Sequence, residues 1–427
     1  MNAKKLLIII SFLIPQILLA QAVHPKIGTR SVSADGKLSI SLISKKQNFS
    51  ASETETLDKD IHSPKSVNIH PNGNKYYVNS LEGAKTVVYE SGTNKKLKTI
   101  SHNFSTKDSL LWSKPSGLFT FTHYTNNLNT FYGKPVESAF SHDGRYLWVP
   151  YYRRSYDINA QDPSAVAIID TETDKIIRLM ETGPLPKMVA VSSDNKYVAI
   201  THWGNNTVGI IDISSNNPKD WHYLSCVTVG YKLELNFSLT ESVDRDVNSG
   251  FCLRGTVFTP DNHYLLVGCM GGNGGLAVID LTNFTYKGTI YGMMSNLRHL
   301  VIRNDYLYLS INKHGYIQRV PLQTVINAIN SMKDKKAQIT DWKNCKVGSG
   351  TRTIEITPDG KYIIAACNSS SCVYVVDAHS MQVVTSISAD SYPAGLDISK
   401  DGKYIYTTSQ GRSNIGGNCV DIFELKY

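Results

Sequence analysis

Apolar and polar residues alternate along this chain in short runs, and the runs come in pairs. Seven pairs are joined at or near a turn rich in Asp, Asn and Gly. They read SVNIHPNGNKYYVNS (66–80), ESAFSHDGRYLWVPY (137–151), MVAVSSDNKYVAITH (188–202), GTVFTPDNHYLLVGC (255–269), HLVIRNDYLYLSI (299–311), TIEITPDGKYIIAAC (353–367) and GLDISKDGKYIYTTS (395–409). Asp-Gly or Asp-Asn between two alternating runs is a strong hairpin signal. One hairpin cannot bury its own apolar face, so copies recurring every roughly forty to sixty residues predict stacked β-meanders. Most pairs are followed by a third run ending in Asp and then a fourth, as in AVAIIDTETDKIIRLMETG (165–183), TVGIIDISS (207–215), LAVIDLTNFTYKGTIYG (276–292) and CVYVVDAHSMQVVTSI (372–387). Four antiparallel strands per unit make a propeller blade. The pattern predicts an all-β fold, a seven-bladed β-propeller of four-stranded antiparallel blades over residues 63–427.

The last repeat offers NCVDIFEL (418–425) as a third strand and then ends. GKLSISLISKK (36–46), in the segment 23–62, alternates well and has no blade of its own. It is expected to complete the seventh blade, because closure removes an open sheet edge. Insertions at 101–132 and 231–254 precede innermost strands, and 152–164 follows a second strand. Propeller topology puts all three at one end of the central channel. QTVINAINSMKDKKA (323–337) is the one good helical pattern, with Val325, Ile326 and Ile329 on a shared face.

Composition refines this picture in three ways. Residues 1–22 read as a secretory signal peptide: Lys4 and Lys5, an apolar stretch from Leu6 to Leu19, then Ala20-Gln21-Ala22. The expected product is exported, periplasmic, extracellular or at the cell surface, without a transmembrane segment once the signal is cleaved. The formal charge of +8 is mildly basic and predicts no specific nucleic-acid recognition. Seven cysteines leave two readings open: Cys367–Cys372 and Cys226–Cys252 disulfides, or buried free thiols.

The turn-and-strand phrases TPDGKYIIAAC and HPNGNKYYVNS, with the VAIIDTETDKII motif, resemble the YVTN-repeat β-propellers of the quinoprotein amine dehydrogenase-like group. The resemblance covers about 63–427 and implies seven blades. It implies little about chemistry, since related lactonases hydrolyse sugar lactones while other members only bind.

Aligning the repeats on their turns brings one position into register, just before each innermost strand. It holds Lys65, Val136, Lys187, Arg254, Arg298, Arg352 and Ala394. Five of these seven are basic, and in a radial fold they would ring the channel mouth that the insertions surround. Like charges facing one another call for an anion between them, and arginine suits planar carboxylate or phosphate oxygens. The competing reading pairs each base with a nearby carboxylate, Glu137, Glu355 or Asp397. Tyr151, Tyr152, His202 and Trp203, at the ends of second strands, complete the expected ligand-binding set. No metal-ligand spacing, phosphate loop or nucleophile motif occurs, so no cofactor or metal is expected. GCMGGNGG (268–275) lies between strands, and DRDVNSG (244–250) lacks calcium-loop spacing.

The leading functional reading is a non-catalytic binding propeller, expected to be a monomer, taking an anionic small molecule, glycan or protein partner. One alternative is a lactonase-like hydrolase using Glu137, His202 and Arg254. Another is a protein-interaction scaffold built on the three insertions.

Overall fold

The repeated turn is shaped by a hydroxyl and a carboxylate. In four blades the Ser or Thr two residues ahead of the turn Asp donates to it: Ser192 to Asp194, Thr259 to Asp261, Thr357 to Asp359 and Ser399 to Asp401, at 2.6–2.8 Å. Each Asp then accepts the amide two residues on, from Lys196, His263, Lys361 or Lys403. The Ser or Thr hydroxyl in turn accepts the amide of the Tyr that opens the second strand. The residue after each Asp must take positive φ, and Asn195, Asn262, Gly360 and Gly402 do so at 55°, 55°, 75° and 74°.

The computed structural model describes residues 22–49, 57–412 and 415–427. The expected signal peptide, 1–22, lies outside them except for Ala22. The chain forms a ring of seven antiparallel blades. Their innermost strands are Pro64–Ile69, Ala139–Ser141, Pro186–Val191, Leu253–Phe258, Leu297–Arg303, Thr351–Ile356 and Pro393–Ile398. Apolar clusters fill the spaces between neighbouring blades. Trp148, Val166 and Ile168 of the second blade meet Val198, Ile200 and Ile211 of the third, with Trp221 stacked on Trp148 at 5.3 Å. Alternate residues of each strand therefore serve different interfaces, which is why the runs alternate.

Closure follows the expected route. Ser39–Gln47 pairs antiparallel with Cys419–Lys426 as the fourth strand of the last blade, and Arg30–Val32 adds a short outer strand. A buried cluster fastens the join. Lys45 forms an ion pair with Asp390, His24 Nδ1 lies 2.6 Å from Asp390 Oδ1, and the Asp390 amide donates to Asp421 at 2.8 Å.

The helix forms over Leu322–Asn330 with Val325 and Ile329 buried and Ile326 partly so. It interrupts the fifth blade between third and fourth strands. The chain then pairs Lys336–Gln338 in parallel with the outer strand of the fourth blade, Thr285–Tyr291, before returning as Lys343–Lys346 to finish the fifth. All seven cysteines carry free thiols, so neither expected disulfide is formed. Among the described residues, no helix is long and apolar enough to cross a membrane.

Candidate functional site

The five basic residues sit one residue deeper than the repeats suggest. Each is the second residue of its innermost strand and falls in a break of the ladder register. Pro64 pairs with Ser80 and Ser66 with Asn79, leaving Lys65 over; the same slip strands Lys187 between Pro186 and Met188, and Arg298 between Leu297 and His299. Arg254 and Arg352 lie in wider shifts of the same kind. A bulge turns an unpaired side chain out of the alternation, so these five leave the inter-blade cores and face the axis. The backbone carbonyls of this ring are held from neighbouring blades: Ser66 donates to Val136, Ser310 to Arg352 and Thr353 to Ala394, each at 2.7 Å.

The five charges act on one another. Burial first, then Arg352, Arg254 and Lys187, hold the Lys65 amine well below the ordinary lysine value. Burial and Arg254 do the same to Lys187, and burial with Arg352 and Arg254 to Arg298. Arg352 is brought to about 10, chiefly by burial. Two carboxylates stand against these five cations. Glu137 accepts from Arg254 Nη2 at 2.9 Å. Asp246, exposed at the mouth, acts on Lys187, Arg254, Arg298 and Arg352 from beyond ion-pair distance. Among the described residues, Arg298 Nε and Arg352 Nε and Nη2 are buried without a hydrogen-bond partner.

The other expected counterions serve elsewhere. Burial, then the Asp397 charge, raises Glu355 to about 8, and burial raises Asp397 to about 6 while it accepts the Ile69 amide at 2.7 Å. These two face each other across the sixth and seventh blades.

The aromatic set divides. Lys187 Nζ lies 4.1 Å from the Tyr152 ring centre and 5.0 Å from that of Trp203, so both rings belong to the mouth. Tyr151 does not: it is fully buried between the first two blades, donating to His102 Nδ1 at 2.9 Å. His202 does not either. Its Nε2 accepts the Gly183 amide at 3.1 Å and its Nδ1 donates to Thr207 at 2.8 Å. Thr207 gives its own proton to Asn205, which sets that tautomer. Burial holds His202 neutral, with its pKa at about 3. Both departures have one cause. Tyr151 and His202 both point into a blade interface, while the residue that follows each, Tyr152 or Trp203, turns its ring to Lys187.

The three insertions interlock over this end. Asp162 accepts the amides of Thr122, His123 and Tyr124. Asn159 joins Ser238, Glu241 and Val243, and Gln161 joins Phe237. Arg245 pins the last loop through the carbonyls of Ala160, Gly204 and Asn248. Between the insertions 152–164 and 231–254 lies a cavity of about 350 Å³, lined by Lys65, Lys187, Tyr152, Arg153, Asn159 and Asp246 among others, to which the insertion 101–132 contributes no residue.

Sequence reading missed Arg245, Asp246 and His299. The first two lie in a loop with no repeat to align. His299 follows Arg298, and only the structure shows its Nδ1 buried without a partner and its pKa lowered to about 4, first by burial.

The fold is a seven-bladed β-propeller. No family model matches the chain, and no curated protein does. Solved structures similar to it include the Kuenenia stuttgartiensis hydrazine synthase, with TM-score 0.57 at 13% identity over 85% of this chain and 96% of that one. The β-propeller domain of Myceliophteria thermophila Cps50 (Swd1) gives 0.56 at 12% identity, with the same coverage. Likeness at such identity speaks to architecture alone.

Proposed function

We propose that this chain is an exported binding propeller of the YVTN-repeat kind that takes an anionic ligand at the basic mouth of its channel. One observation carries the reading. Five basic side chains converge with a single ion pair among them, and Arg352 keeps two buried nitrogens unpartnered. Burying N–H donors and charge without partners costs several kcal/mol, on the order of 1–3 per unsatisfied group. A ligand with two or three negative charges would remove that cost and, with the two carboxylates already present, balance the basic side chains. Tyr152 supplies a flat apolar face in the cavity lining, with Trp203 packed behind Lys187.

The test is calorimetric titration against anionic sugars, nucleotides and short polyanions at two salt concentrations. The expected result is binding that weakens with salt, and weakens by roughly tenfold or more in Arg254→Ala and in Arg352→Ala. Arg352→Lys should fail to restore it, since an ammonium lacks the two-pronged fork. No binding by the wild type, or binding indifferent to both arginines, would refute the reading. Of the residues named for the hydrolase alternative, His202 has both nitrogens engaged inside the third blade, while Glu137 and Arg254 pair with each other at the mouth.

A further inference from the structure

The two lysines of the ring occupy different settings. Lys187 rests its ammonium on two aromatic faces and feels the Asp246 carboxylate. Both favour the charged form. Lys65 has neither aid. Its amine makes no hydrogen bond or ion pair among the described residues, and the charges acting most strongly on it are those of Arg352, Arg254 and Lys187, ahead of Glu137. It is 8% exposed and lines the 350 Å³ cavity at the mouth.

We propose that Lys65 forms an imine with a small anion that carries both a carbonyl and a carboxylate, such as a 2-oxo acid or an aldehyde acid. This rests on the anion-site reading, which supplies the clamp: arginines hold the carboxylate and present the carbonyl to the amine. Burial and the neighbouring cations favour the unprotonated amine, which is the nucleophilic form. Lys65 nitrogen adds to the carbonyl carbon, forming the C–N bond as the carbonyl π pair moves to oxygen. The two nitrogen protons leave with that oxygen as one water, giving C=N. Nothing is oxidised or reduced.

The experiment treats the full chain with glyoxylate and cyanoborohydride, which reduces an imine to a stable carboxymethyl-lysine, and maps the modified peptides over time. Lys37, whose side chain is 85% exposed, is the internal reference. Lys65 is expected to be labelled roughly tenfold faster than Lys37 or more, as an activated amine requires. That preference should fall when succinate is added, in Arg352→Ala, and when acetaldehyde replaces glyoxylate. Labelling of Lys65 no faster than Lys37 would overturn the proposal, and the wild-type map alone decides this, whether or not a variant folds. Succinate titration separates the two failures. Arg352-dependent succinate binding without Lys65 labelling removes the imine and leaves the anion site standing; absence of both removes the two together.

Discussion

Two buried charge clusters lie in this ring, and they differ in their bookkeeping. At the seam, Lys45 meets Asp390 and Asp421 with His24 alongside. Burial and the Asp390 charge push Asp421 well above the usual carboxylate range, which favours its protonated form. The bonds from His24 and Asp421, with the Lys45 charge, outweigh burial and keep Asp390 low. Lys45 thus meets one carboxylate driven toward its charged form and one driven toward its neutral form. At the channel mouth, five basic side chains face Glu137 and Asp246, and among the described residues arginine nitrogens go unpaired. A balanced buried cluster holds a structure together.

The contrast can be broken most severely at the seam. A chain lacking residues 22–47 loses the closing strand and exposes the edge of Cys419–Lys426. It is expected to show no cooperative thermal transition and to aggregate, as light scattering would report.

Lys45→Ala is the point version of that test. It strands Asp390 with no lysine partner in a site where the Asp390 and Asp421 side chains are fully buried. The loss expected in denaturant titration is about 3–5 kcal/mol.

Neutral buried histidines form a middle case. His102 and His202 both have pKa values of about 3, lowered by burial from the ordinary 6.5. A group depressed on folding contributes stability that is complete above its unfolded value and lost as pH falls toward its folded one. Stability should therefore decline between pH 6.5 and 3, by about 1.4 kcal/mol per pH unit for each histidine. His202→Gln should flatten that slope by one group's share, measured by urea titration across the range.

The smallest effect has the opposite sign. Arg352→Met removes a cation that other cations oppose and leaves a side chain of similar bulk. In ligand-free protein it should raise stability by about 1 kcal/mol, while abolishing any Arg352-dependent anion binding. A loss as large as that of Lys45→Ala would show that the two clusters are alike.

Much of this was legible before any coordinates. The Ser/Thr-x-Asp-Gly/Asn phrases encode a turn whose hydrogen bonds are local, so each repeat announced its hairpin. The orphan alternating run at 36–46 announced the seam, because an unpaired edge and an unplaced strand imply each other. The register of Lys65, Lys187, Arg254, Arg298 and Arg352 was visible as well, since repeats make one blade a ruler for the rest. Tyr151 and His202 were assigned to the mouth because a strand's end was read without the interface that covers it. Asp246 and Arg245 gave no signal, lying in a loop that belongs to one blade only.

Periodicity and turn chemistry act over a few residues, and they were enough to determine the blades, their number and the route of closure. Which charges find partners depends on groups far apart in sequence. Glu137 reaches Arg254 from two blades away, Lys45 reaches Asp390 across the whole chain, and register slips decide which side chains leave the cores for the axis. The tertiary structure alone settled that the seam is balanced and the mouth is not, because Coulomb energies depend on distance and burial, and neither is written in the local pattern.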